Sequence, residues 1–78
     1  MNMCSQLCCM PVGSSAIINA LPTGVEALTR LRELGLVPGT KVRMVRKAPL
    51  GDPMEISVRG SRLAMRRREA LQIGVQLV

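Results

Sequence analysis

Three cysteines, Cys4, Cys8 and Cys9, stand within the first nine residues of this 78-residue chain. A Cys-x-x-x-Cys-Cys cluster has the ligand type for a soft metal held as thiolate. It offers only three sulfurs, and the sequence has no histidine to complete a tetrahedron. The spacing also departs from the paired clusters of structural zinc sites. Cys4, Cys8 and Cys9 are therefore weak metal candidates. The plainer expectation is an untied N-terminal tail over residues 1–12, closed by Pro11, with the domain proper over residues 13–78. An odd number of cysteines cannot pair fully within one chain, and a cytoplasmic setting with reduced thiols is the default. No signal peptide is expected, because the first residues lack a basic region followed by an apolar run. Nor does any stretch approach the ~20 apolar residues of a membrane span.

A search for catalytic groups returns little. The acids are Glu26, Glu33, Asp52, Glu55 and Glu69, and no two of them obviously converge. The serines have no histidine to act as base. No Gly-x-x-x-x-Gly-Lys phosphate loop exists. Neither an enzymatic activity nor a bound cofactor is expected, and binding is the surviving class of function. The formal net charge of +6 attracts phosphates, acidic proteins or anionic lipid heads. Its densest run is "RGSRLAMRRR", residues 59–68, which reads as a solvated face, a nucleic-acid contact or a lipid contact. Aromatic residues make up 0% of the chain, so bases cannot stack on side-chain rings. The same absence removes the aromatic walls of a groove for proline-rich peptides.

The elements that must position these groups are short. Residues 14–21, "SSAIINAL", read as a first strand. In "TGVEALTRLRELGL", residues 23–36, Thr23 is the expected N-cap, with Glu26 as its capping-box partner. Val25, Leu28, Leu31 and Leu34 recur at helical spacing and read as a core stripe, while Glu26 and Arg30 are spaced as an ion pair. Gly35 fits the left-handed position after the helix, with Leu36 folding back over Leu31. Pro38-Gly39 predicts a type II turn. Lys41–Lys47 follows as a strand with Val42 and Met44 on one face. Residues 54–59 alternate strictly, with Met54, Ile56 and Val58 inward. Gly60-Ser61 predicts a two-residue hairpin turn, and Leu63 and Met65 continue the inner face on the return strand. Residues 67–70, "RREA", predict one helical turn, and Ile73, Val75 and Leu77 alternate as a last strand.

Five short strands, one helix and one helical turn make a mainly β domain. A sheet this small must close or expose its edges, which predicts an SH3-like five-stranded barrel with the helix covering an opening. Between strands two and three lies "APLGDP", residues 48–53. Pro49 and Pro53 stiffen its two ends, Gly51-Asp52 is expected to turn the chain, and Leu50 is left at the tip.

The ordered set Leu34-Gly35-Leu36, Pro38-Gly39, Gly51-Asp52-Pro53, Arg59-Gly60 and Arg66-Arg67 resembles the FeoA family of bacterial ferrous-iron transport accessory proteins. The resemblance covers roughly residues 13–78 and leaves the cysteines outside it. It implies an SH3-like domain in the cytoplasm, at or near the inner face of the cell membrane. It also implies a partner, the cytoplasmic region of a FeoB-type ferrous-iron transporter. Similar domains in DtxR-type iron-dependent repressors suggest the rival role, a basic module acting with nucleic acid. Candidate partner contacts are Leu36, Val37 and Leu50 as an apolar patch, together with Asp52, Arg66 and Arg67. Gly35, Pro38, Gly39, Pro49, Gly51, Pro53 and Gly60 read as structural turn residues.

Overall fold

A computed structural model describes the backbone of residues 5–22 and 24–78, and the side chains of these residues except 25–28. Strands β1 (Ser15–Ala20), β2 (Lys41–Lys47), β3 (Met54–Val58), β4 (Ser61–Met65) and β5 (Gly74–Leu77) form one antiparallel sheet in the order β4-β3-β2-β1-β5. Helix α1 (Val25–Glu33) connects β1 to β2, and the short helix α2 (Arg67–Ala70) connects β4 to β5. The fold is mainly β, as the alternation predicts. All five strands contribute to one core, which includes Ile18, Met44, Ile56, Met65 and Val75. With no aromatic side chain available, Met10, Met44, Met54 and Met65 fill it. Unbranched thioether chains suit irregular gaps of this kind.

The helix starts one residue later than expected. Gly24 occupies the N-cap and has no side chain to cap with. Thr23 lies outside the described residues, as do the side chains of Val25, Glu26 and Leu28. At the other end the expected motif is complete. The N–H of Leu36 donates to the carbonyl of Leu31 at 2.8 Å, and that of Gly35 to Arg32 at 3.0 Å. These are the two bonds of a Schellman motif, with Gly35 at φ 86°. Leu31 is buried, but Leu34, expected in the same stripe, is 37% exposed. The turn at Leu34 and Gly35 swings the chain away and lets Leu36 take the core position. The Pro38-Gly39 turn is closed by Thr40 N–H donating to Val37 at 3.0 Å, with Gly39 at φ 93°.

Two turns differ from expectation. Val58 pairs with Ser61, so the β3–β4 turn is Arg59-Gly60 rather than Gly60-Ser61. Both residues have positive φ, 52° and 84°, which defines a type I′ turn that matches the twist of the strands. In the β2–β3 loop, Gly51 N–H donates to Ala48 at 2.7 Å, so the turn is centred on Pro49-Leu50 and not on Gly51-Asp52. Proline presets φ at the second position of such a turn.

The largest correction concerns the N-terminus. Residues 5–12 are not an untied tail. Gln6 forms an antiparallel bridge to Gly74, Leu7 N–H donates to Ile73 at 2.9 Å, and Val75 N–H donates to Ser5 at 2.8 Å. The segment thereby covers the outer edge of β5, which β1 leaves free. A 3₁₀ turn at Leu7–Cys9 then drops Leu7 and Met10 into the core, both fully buried. The expected boundary at residue 13 is therefore not visible in the packing. Gly74 is required where these strands converge, because a Cβ there would lie 2.9 Å from Ala20 Cβ. Of the alternating residues of the last strand, Ile73 and Val75 are buried and Leu77 is exposed.

Candidate functional site

The β2–β3 loop and α2 are built as one unit. Ala48 N–H donates to Pro53 at 3.0 Å and closes the base of the loop. Above that base, Leu50 stands 92% exposed at the tip. Asp52 Oδ1 accepts the backbone N–H of Arg67 at 3.0 Å. Helix starts leave such donors unpaired, and a carboxylate favours the positive end of the helix dipole. The carboxylate of Glu69 accepts the backbone N–H of Arg66 at 3.1 Å. Arginine carries no acceptor, so this is one half of a capping box. The same carboxylate pairs with Arg30 of α1 at 2.9 Å. Arg30, expected to pair with Glu26 along its own helix, thus ties α1 to α2.

The structure brings Asp52, Arg66 and Arg67 together, but it gives Asp52 a structural task. Arg66 and Arg67 remain exposed beside the loop. The expected apolar patch of Leu36, Val37 and Leu50 does not form. Leu36 is fully buried. Val37 precedes β2 and Leu50 follows it, so the strand separates them by about 23 Å at ~3.3 Å per residue.

At the N-terminal segment, Cys8 is buried and Cys9 exposed, with their Sγ atoms 3.7 Å apart. Lys47 Nζ donates to the Cys8 carbonyl at 3.2 Å and anchors this turn to β2. Cys4 lies outside the described residues. Among the described residues, no group of three or more cysteines, aspartates or glutamates is placed to hold a metal. No described helix is long and apolar enough to cross a membrane.

A third feature escaped the sequence reading. A groove of about 750 Å³ runs between the Val37–Thr40 turn and the outward face of β2 and β3. Lys41, Arg43 and Arg59 line it, together with Ser15 and Ser57. The signal was present in the outward alternation of Lys41 and Arg43 on β2. Only the register across strands reveals that Ser15, Arg43, Ser57 and Arg62 share one row.

A sequence profile of the FeoA domain matches residues 6–77. The chain belongs to the FeoA family. Its match begins at Gln6, in keeping with the N-terminal segment's place in the core. Solved relatives agree. FeoA protein from Chlorobium tepidum is 38% identical, with a TM-score of 0.86 over 94% of this chain and 70% of that one. Iron(II) transport protein A from Clostridium thermocellum is 34% identical, with a TM-score of 0.89 over 94% of this chain and 45% of that one. Stenotrophomonas maltophilia FeoA is 35% identical, with a TM-score of 0.78 over 94% of this chain and 91% of that one. That protein was solved with zinc and is described as a prokaryotic SH3 domain protein and a candidate activating factor of ferrous-iron transport. The architecture here is the same SH3-like domain. Metal-dependent regulators such as the manganese regulator SloR share the fold at 15% identity, with a TM-score of 0.83 over 95% of this chain and 34% of that one.

Proposed function

We propose that this FeoA-family chain is an accessory protein of ferrous-iron transport that acts by binding the cytoplasmic region of a FeoB-type transporter. The observation that carries the reading is the family match over nearly the whole chain. The site geometry supports it. The exposed groups are those of a binding module: a stiff loop with an apolar tip at Leu50, and Arg66 and Arg67 held beside it by the Asp52 cap. Leu50 supplies an apolar anchor, and the two arginines supply directed hydrogen bonds to carboxylates. Contact at this surface would bring the chain to the inner face of the membrane.

The test is copurification of the untagged chain with the transporter from native membranes, beside the Leu50→Asp variant. The wild type is expected in the complex. Leu50→Asp is expected to fold normally, because the side chain is 92% exposed, and to bind at least about tenfold more weakly. Absence of the wild-type chain from the transporter complex, with or without nucleotide, would overturn the proposal.

A further inference from the structure

We infer that the groove between the Val37–Thr40 turn and the β2–β3 face binds an acidic peptide segment, and that on the reading above this segment belongs to the transporter. Lys41 and Arg43 project outward from β2, two residues apart on one face. Arg59, the first residue of the β3–β4 turn, follows Val58, which pairs with Val42, and lines the same groove as Lys41 and Arg43. Like charges gathered on one surface repel each other and oppose the folded state. Sequences break such local rules chiefly at functional sites. Among the described residues, no carboxylate lines the groove to offset these charges. Of the acids described elsewhere, Asp52 caps α2, Glu69 bridges Arg66 and Arg30, and Glu55 approaches Arg62 at 3.8 Å, while Glu33 stands exposed at the end of α1 and outside the groove lining. The cationic groove is thus a local arrangement and not merely a share of the overall charge.

Shape and chemistry select the occupant. Ser15 and Ser57 stand either side of Arg43 in the row and offer hydroxyl donors to a carboxylate. An extended peptide presents alternate side chains about 6.8 Å apart, the spacing of Lys41 and Arg43 along β2. Val37 and Pro38 give one wall an apolar surface that a peptide backbone can lie against. Nucleic acid would find no aromatic ring on which its bases could stack.

The test uses the full chain and a labelled ten-residue peptide of alternating glutamate and serine, read by fluorescence anisotropy. The groove variant is Lys41→Gln/Arg43→Gln/Arg59→Asn. The control, Arg32→Gln/Arg46→Gln/Arg68→Gln, removes the same charge from exposed positions outside the groove. Urea unfolding confirms that both are folded. The expected result is wild-type binding that weakens with salt, falls at least about tenfold in the groove variant, and falls less than about threefold in the control. Equal losses in the two variants would overturn the inference. So would tighter, groove-dependent binding of duplex DNA or of vesicles containing anionic lipid. Solubilised transporter separates this inference from the one beneath it. Wild-type chain that ignores the transporter but binds the peptide refutes the proposed function alone. Groove variant that binds the transporter as well as the wild type refutes the groove and leaves the function standing.

Discussion

Replacing Leu7 with alanine tests whether the N-terminal segment belongs to the domain. Leu7 is fully buried and contacts a core shared by all five strands. A buried Leu→Ala change loses transfer free energy and leaves a cavity, together about 2–5 kcal/mol. The backbone bond from Leu7 to Ile73 survives the substitution, so the loss is one of packing. Domains of this size hold roughly 4–12 kcal/mol of stability, at 0.05–0.15 kcal/mol per residue. A loss near 3 kcal/mol would thus remove a quarter or more of the total. At about 4–8 °C per kcal/mol, the midpoint of thermal unfolding should fall by roughly 12–24 °C. The assay is urea and thermal unfolding of wild type, Leu7→Ala and Val12→Ala. Val12 is 58% exposed and should change stability by no more than about 0.5 kcal/mol. A Leu7→Ala effect as small as that of Val12→Ala would refute the packing described here and restore the untied tail.

Three further outcomes follow from named contacts. Asp52→Ala should lower stability by about 1 kcal/mol, the worth of a helix cap, seen as a shifted urea midpoint at unchanged slope; Asp52→Asn should lose less, because its carbonyl still accepts the Arg67 N–H. Arg59→Asn should raise stability by a few tenths of a kcal/mol or more, since asparagine accepts the positive φ of a type I′ turn and the change removes one of the three like charges lining the groove; a lower urea midpoint would count against both the turn assignment and the repulsion. In a Cys4→Ser background, a thiol reagent should label Cys9 promptly and Cys8 only as the protein unfolds, checked by mass spectrometry after peptide digestion.

Much of the fold was legible because it obeys short-range rules. The alternation of Met54, Ile56 and Val58 marks β3, and Pro38-Gly39 and Leu34-Gly35-Leu36 each carry their own stereochemistry. The departures come from contacts that no local rule contains. Leu7 and Met10 look like tail residues because only the free edge of β5, some seventy residues away, gives them a place to pack. Leu36 looked available for a patch because its burial depends on where α1 docks. Asp52 looked like a contact residue because its partner, the N–H of Arg67, lies fifteen residues further on. The hairpin turn slipped by one residue because Gly60 accepts positive φ in either register, and the Val58–Ser61 pairing decides which is used.

The placement of charge makes the same point about function. Counting arginines and lysines gives +6 and directs attention to the run at residues 59–68. In the folded chain that run divides. Arg62 approaches Glu55, and Arg66 and Arg67 sit over the Asp52 cap. Arg59 leaves the run altogether and joins Lys41 and Arg43, which the sequence places on a different strand. Two basic surfaces result, at opposite ends of β2, one with an apolar tip at Leu50 and one with an apolar wall at Val37 and Pro38. A partner that uses both must span the length of β2. An extended acidic segment, or a second surface of the same protein, can do so without requiring any movement within the barrel.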